Sequence, residues 1–373
     1  MTERELDLRR RAFSADPHAD DALDELITEE AAARANVAPP LFSLGDTALN
    51  TLSGFLQLKV KAHIRSNFFP LALAHLLRDD ENPLVSVEFR NQSESDVVCR
   101  TRVWIEGFSA TSVKTISVPR PAGLVKVDLL PTLFPSAMNE VTEITAATVH
   151  VAVNELGGRE LTQSTGRVWL LPKNAAILEY RDRKTGERKN YKKYLGAYVT
   201  PNAPQVLSFL AGARQQHPDK QFVGDRQANA DGVLSQVKAI YDTLKDAGFG
   251  YVNSLTAFFP EFGLSGQRIR LPSEALGDKA GNCIDGVVLF ASLLEAASLH
   301  PAIVSVPGHA FLAWERIRDS DQWQYLDTTL LGTGDFDAAV AEGARLARKF
   351  EAANTLDRYS LRKLRQQEIF PLV

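Results

Sequence analysis

Residues 277–286 read Gly-Asp-Lys-Ala-Gly-Asn-Cys-Ile-Asp-Gly, and the mostly apolar residues 287–299 follow them directly. A turn-rich stretch before a continuous apolar run predicts a loop that leads into a buried helix. Cys283 lies at the junction, where unpaired N–H groups and the positive end of the helix dipole favour a thiolate and can bind a developing oxyanion. Gly281 and Asn282 permit a close approach of the backbone beside it.

Three strand-like segments follow the predicted helix. Residues 301–306 read Pro-Ala-Ile-Val-Ser-Val, a Pro-Gly break comes next, and residues 309–314 form a second predicted strand that begins with His309. A third strand is predicted within residues 323–329, and antiparallel pairing of the last two strands would bring Asp327 beside His309. One face of the third strand is predicted to carry Tyr325, Asp327 and Thr329.

The order Cys283, His309, Asp327 suits nucleophilic catalysis by a thiol. A thiol is largely protonated near neutral pH, so an adjacent imidazole must remove its proton. An aspartate on the far ring nitrogen fixes the tautomer of the histidine and stabilises the imidazolium. The three residues are therefore predicted to form a catalytic triad of nucleophile, base and orienting acid.

Three motifs together resemble the transglutaminase-like superfamily: Gly-Asn-Cys-Ile-Asp-Gly at a helix start, Val-Pro-Gly-His-Ala-Phe at a strand and Tyr-Leu-Asp-Thr on the next strand. The core of that superfamily is similar to papain-type cysteine peptidases. The resemblance covers roughly residues 200–330 and implies an acyl-thioester intermediate at Cys283. Members include protein cross-linkers, peptidases, deamidases, peptide N-glycanases and proteins without catalysis, so the resemblance selects no substrate.

The expected function is cysteine-dependent hydrolysis of peptide or amide bonds in a protein or peptide substrate. Backbone N–H groups at the helix start would hold the oxyanion, protonated His309 would assist the leaving amine, and water would resolve the thioester. An amine acceptor would instead give a transamidating, cross-linking enzyme. Two further alternatives are a non-catalytic binding or scaffold protein and a regulated protease with residues 1–40 as its pro-segment.

Further residues near the motifs are candidates for the oxyanion hole or the cleft. Gln267 could supply a side-chain amide to the oxyanion or brace a loop, and Asn282 adjoins the nucleophile. Trp314 and Trp323 flank the predicted hairpin and would either wall the cleft or pack in the core.

Two charged neighbours have simpler interpretations. Asp285 points away from Cys283 around the helix, so we expect it to interact with the helix dipole or brace a loop. His300, just after the helix, is expected to be a C-terminal helix charge rather than a second base.

Residues 41–172 are predicted to form an antiparallel β-sandwich that serves recognition or assembly, through sheet edges or loops, with a protein partner. Alternation of apolar and polar residues between turn signals is typical of such strands. Cys99 falls within one strand and is predicted to be a small buried hydrophobe. The four clearest strand segments are residues 85–89, 97–105, 115–118 and 147–153.

The expected fold class is α+β, with the N-terminal antiparallel β-sandwich followed by a transglutaminase-like, papain-like catalytic domain. The predicted divisions are a mobile arm with a short helix (1–40), the sandwich (41–172), a basic linker or hairpin (173–200) and the catalytic domain with C-terminal helices (201–373). An apolar stripe from Val233 to Leu244 predicts a helix, and helical periodicity also runs through residues 336–368.

The composition of the chain limits the classes of partner and cofactor that are expected. The net charge of -4 and a pI near 6.0 give no basic field, so no nucleic acid partner is expected. The charged start and the absence of a long apolar run predict no membrane association and a cytoplasmic protein. Two cysteines, no phosphate-binding glycine loop and no metal-ligand spacing predict reduced thiols, no cofactor and no metal. The oligomeric state stays open.

Overall fold

A computed structural model of the chain describes residues 22, 47–48, 58–120, 124–181, 186–252 and 263–372. The fold is α+β and has two compact units, one centred on residues 38–175 and the other on residues 187–373. The predicted arm, with its helix over residues 20–36, lies outside the described residues except for position 22.

The first unit contains two β-sheets whose apolar side chains share one buried core. Its elements are β1 (Thr47–Ala48), β2 (Leu58–Ile64), β3 (Phe68–Pro70), a 3-10 helix (Leu71–Leu76), β4 (Val85–Asn91), β5 (Val97–Ile105), β6 (Ser112–Val118), β7 (Val125–Leu129), α1 (Pro135–Glu140), β8 (Thr145–Glu155) and β9 (Glu160–Leu171). The strand order is β1-β2-β4-β7 in one sheet and β3-β9-β8-β5-β6 in the other.

The four strands predicted most clearly from the sequence are confirmed as β4, β5, β6 and β8. Burial alternates along β5, as a sheet with one face on the core requires. Cys99 on β5 has no exposed surface, and burial raises the pKa of its thiol to about 11, so it is the inert hydrophobe predicted. The expectation of purely antiparallel pairing is wrong for β3, which runs parallel to β9 because it crosses to the second sheet shortly after β2.

The second unit contains several helices around a four-stranded antiparallel sheet. Its elements are β10 (Ala175–Arg181), β11 (Arg188–Asn190), a 3-10 helix (Lys192–Tyr198), α2 (Pro204–Gln216), α3 (Ala230–Asp246), β12 (Gly250–Tyr251), β13 (Leu264–Arg268), α4 (Pro272–Asp278), β14 (Ala280–Gly281), α5 (Cys283–Ala296), β15 (Pro301–Val306), β16 (His309–Glu315), β17 (Trp323–Leu326), a 3-10 helix (Thr328–Leu330), α6 (Phe336–Ala352), β18 (Asp357–Ser360) and α7 (Leu361–Gln366). The main sheet has the order β17-β16-β15-β18, and smaller sheets join β11-β10-β13 and β12-β14.

The helix predicted from the 283–299 pattern is confirmed as α5, which is buried on nearly all sides. Such a helix needs apolar residues around its whole circumference, which explains why its sequence shows no polar stripe. The stripe from Val233 to Leu244 is confirmed on α3, where all of its apolar members are buried.

The helical structure predicted for residues 336–368 is only partly confirmed. Residues 336–352 form α6, but residues 357–360 form the edge strand β18, which pairs with β15. Pairing with β15 provides hydrogen-bond partners for the backbone N–H and C=O groups of residues 357–360. This tertiary interaction outweighs the local helical pattern.

The basic segment near residue 181 contributes to an antiparallel pair of β10 and β11. Within this basic segment Lys189 and Lys192 are both buried, which is unusual for lysine. The burial of Lys192 is explained by Glu179, whose carboxylate forms ion pairs with Lys192 at 3.3 Å and with Arg188 at 2.8 Å.

Within the described residues, none of the helices combines the length and the apolar character that crossing a lipid bilayer requires.

Candidate active site

The start of helix α5 is fixed by a capping box. Asn282 is the N-cap, and its side-chain oxygen accepts a hydrogen bond from the backbone N–H of Asp285 at 3.0 Å. The Asp285 carboxylate in turn accepts from the backbone N–H of Asn282 at 3.0 Å. Gly281 permits this close turn, since a Cβ there would lie 2.7 Å from the Cβ of Asp285. Cys283, half-buried, is therefore held rigidly as the first residue of the helix.

The capping box leaves specific N–H groups open to a substrate. It occupies the N–H groups of Asn282 and Asp285, whereas those of Cys283 and Ile284 have no acceptor among the described residues. Both groups lie at the positive end of the α5 dipole. They are the best-placed backbone donors for an oxyanion, whereas the Asn282 side-chain oxygen is an acceptor that the cap already uses.

His309 is placed by the turn between β15 and β16. It opens β16 opposite Val306, directly after Gly308, whose φ of 75° requires a left-handed backbone. Its Nε2 lies 3.2 Å from Oδ2 of Asp327, and its ring is close enough to the thiol of Cys283 for the thiol to help raise the pKa of the imidazole. The structure thus brings the three residues predicted to form the triad into one contact chain.

Asp327 is held by its own neighbours. Strand β17 pairs antiparallel with β16, as predicted, and places Asp327 just past its last residue. Oδ1 of Asp327 accepts from the backbone N–H of Thr329 at 3.0 Å and from its hydroxyl at 2.9 Å, which leaves Oδ2 for His309. The expectation that Thr329 shares a strand face with Asp327 is wrong, because Asp327 caps a 3-10 helix in which Thr329 lies.

Charge makes this contact chain an ion pair. Burial by itself would lower the pKa of His309, but the neighbouring Asp327 carboxylate and the hydrogen bond to Cys283 outweigh burial and raise it to about 10. For Asp327, burial favours the neutral acid, and the His309 charge with the Thr329 donors holds its pKa below the usual range. The site therefore stores a protonated imidazole next to the thiol.

Tyr251 is a site residue that the sequence did not reveal. Strand β12 pairs parallel with β14, so Tyr251 lies opposite Gly281, two residues before the nucleophile. Burial raises the pKa of its phenol to about 12, with added contributions from Cys283, Asp327 and Asp285. Tyr251 is still 45% exposed, so its protonated phenol lies at the solvent-accessible border of the site. The short Gly-Tyr strand has no local pattern that would mark it as functional.

The other residues singled out in the sequence differ in their position relative to Cys283 and His309. Asp285 braces the helix start, which confirms its predicted role. Trp314 has no exposed surface, so the cleft-wall alternative is wrong and the core alternative fits. Trp323 faces Glu315 at the end of β16 far from His309 and stacks against Arg358. Gln267 lies half-buried on β13, and its oxyanion role stays a prediction.

His300 lies away from the triad. Its Nδ1 is 2.9 Å from a carboxylate oxygen of Asp225 and 3.2 Å from one of Glu315. His300 and Asp225 border a cavity of about 670 Å³ at the C-terminal end of α5, whereas Cys283 begins that helix. His300 therefore lies at the wrong end of α5 to act as a second base for Cys283, and its Nδ1 contacts two carboxylates instead.

Among the described residues, no group of three or more His, Cys, Asp or Glu side chains is arranged to hold a metal ion. No protein-family model matches the chain, and no curated protein matches it in sequence.

The ion pair predicts a pH-dependent stability. The pKa of His309 is higher in the folded than in the unfolded chain, so its contribution is complete below about pH 6.5 and is lost as pH rises toward about 10. Urea unfolding of the wild type should therefore show a decline in the free energy of unfolding across that interval. His309→Gln should flatten this decline, and an unchanged slope in the variant would contradict the ion pair.

Proposed function

We propose that the protein is a cysteine-dependent hydrolase of peptide or amide bonds, with a transglutaminase-like second unit. The observation that carries the proposal is the contact chain from Cys283 through His309 to Asp327, formed by residues from three separate elements. A structural cysteine needs no charged partner, whereas a nucleophilic one needs a base and an orienting acid. The half-buried position of Cys283 also leaves the thiol accessible.

The reaction follows from the groups present. The Cys283 sulfur attacks the carbonyl carbon of an amide, and the carbonyl oxygen takes the negative charge. The N–H groups of Cys283 and Ile284 donate to that oxyanion. Protonated His309 then gives its proton to the leaving nitrogen, the C–N bond breaks, and a thioester remains on Cys283.

Water completes the cycle. Neutral His309 accepts a proton from water as the hydroxyl attacks the thioester. The C–S bond breaks, the carboxylic acid leaves, and the Cys283 thiolate remains beside protonated His309. Asp327 stays ionised throughout and stabilises the imidazolium. A primary amine in place of water would form a new amide, so the same residues serve hydrolysis or transamidation.

The first unit is proposed to be a β-sandwich that recognises the protein substrate or a protein partner. It offers edge strands for such contacts, β6 in one sheet and β7 in the other. Residue Val113 on β6 is 51% exposed, which suits a contact with another chain.

The test is turnover on a mixed peptide library that contains internal peptide bonds and side-chain carboxamides. Mass spectrometry should show cleaved or deamidated peptides with the wild type and none with Cys283→Ala. Addition of a primary amine distinguishes transamidation, which appears as an amine adduct instead of hydrolysis. Peptide binding without any conversion, equal for the wild type and Cys283→Ala, would overturn the proposal and favour a binding protein.

A further inference from the structure

A buried carboxylate lies in the same helical turn as the nucleophile. Asp285 is 1% exposed and belongs to the same first helical turn as Cys283. A negative charge near a thiol opposes formation of the thiolate, and burial strengthens that effect because little water screens it. The capping role of Asp285 thus conflicts with the chemistry required of Cys283.

Arg270 resolves this conflict. Its backbone N–H donates to Oδ1 of Asp285 at 2.8 Å, and its Nη1 donates to Oδ2 at 3.1 Å. Oδ2 also accepts from the N–H of Asn282, so the carboxylate has donors on both oxygens. Arg270 follows β13 and thereby connects a separate segment of the chain to the start of α5.

We propose that Arg270 is a positioning residue that neutralises Asp285, so that the capping carboxylate fixes the helix start without opposing the Cys283 thiolate. A capping box alone needs only hydrogen-bond donors, which the backbone already supplies from Asn282 and from Arg270 itself. The guanidinium adds charge, and charge matters to the neighbouring thiol rather than to the cap. The catalytic consequence rests on the proposed function, but the electrostatic relation does not.

Three other titratable groups belong to the surroundings of Cys283. They are His309 on β16, Asp327 at the end of β17 and the phenol of Tyr251 on β12. None of them contacts the Arg270 guanidinium, whose second partner is Asp278, with 62% of its side chain exposed. Substitutions at positions 270 and 285 therefore change a charge pair that makes no direct contact with His309 or Asp327.

The experiment measures the alkylation rate of Cys283 by iodoacetamide from pH 5 to 9, in the full chain, by intact mass. Arg270→Gln keeps the backbone donor and removes the charge. Its half-maximal pH should rise by about one unit, which makes alkylation about tenfold slower on the acidic side. Asp285→Asn, which keeps an acceptor oxygen, should shift the profile the other way.

The double variant decides between charge and structure. If charge is the cause, Arg270→Gln combined with Asp285→Asn should return the half-maximal pH close to the wild-type value. If Arg270 only braces the loop, the double variant should be as slow as Arg270→Gln or slower, and the inference is then wrong. Asp278→Asn, which removes the exposed partner of Arg270, is the matched control and should leave the profile unchanged.

Failure of this inference is distinct from failure of the proposed function. If wild-type Cys283 reacts like a free thiol and His309→Ala changes nothing, the hydrolase proposal fails. The shift caused by Arg270→Gln should still appear in that case, because it depends only on the buried charge of Asp285. An activated thiol without any shift overturns the Arg270 role alone.

Discussion

Replacing His309 with alanine is expected to slow alkylation of Cys283 by iodoacetamide by about 100-fold at pH 6. The wild-type imidazole is protonated, lies beside Cys283 and is stabilised by Asp327, so its positive charge stabilises the thiolate that alkylation requires. Without it, Cys283 loses the positive charge beside it, and the helix dipole that remains contributes on the order of 1 kcal/mol. The measurement is the pseudo-first-order rate of single adduct formation by intact mass.

Cys99 gives an internal control for the same experiment. Its thiol is fully buried, so it should remain unlabelled in the wild type and in His309→Ala while the chain is folded. Labelling of both cysteines would report unfolding rather than loss of activation. Equal Cys283 rates in the wild type and His309→Ala, with Cys99 protected, would show that the histidine does not activate the thiol.

Strong local patterns made the elements that carry the triad predictable. The apolar run after Cys283 predicted α5, and the Pro-Gly break before His309 predicted the turn between β15 and β16. Once the second and third strands pair antiparallel, the contact of His309 with Asp327 follows from register alone. Sequence reasoning succeeded here because each residue lies at the end of a well-marked element.

The parts that escaped prediction depend on tertiary contacts. Thr329 does not continue strand β17, because its backbone N–H donates to the side chain of Asp327 rather than to a neighbouring strand. Arg270 and Tyr251 reach the site from segments that lie before Cys283 and have no motif of their own. Their roles depend on tertiary contacts between distant chain segments at the start of α5. Such contacts cannot be identified from the periodicity of a single sequence.

Packing between α6 and β17 determines where Asp327 lies. The backbone N–H of Asp327 donates to the carbonyl of Ala339 at 3.0 Å, one turn before Gly343 on the same helix. At Gly343 the helix approaches β17 so closely that a Cβ would lie 2.5 Å from the backbone N of Leu326. Backbone atoms of a paired strand have little freedom to move aside.

Gly343→Ala is therefore expected to lower the free energy of unfolding by about 2–3 kcal/mol, because the added methyl group forces α6 and β17 apart. Since β17 leads into Asp327, the same change should slow alkylation of Cys283 below the wild-type rate. The measurements are the urea midpoint at constant m-value and the alkylation rate at a urea concentration where the variant stays folded.

Gly212→Ala is the matched control for the packing effect. Gly212 is exposed on α2, where an added Cβ meets nothing within 4 Å, so alanine should stabilise the helix by about 0.5–1 kcal/mol. The alkylation rate should then equal that of the wild type. If Gly343→Ala proved as benign as Gly212→Ala in both measurements, the close approach of α6 would not be what positions Asp327, and the strand pairing with β16 would have to suffice.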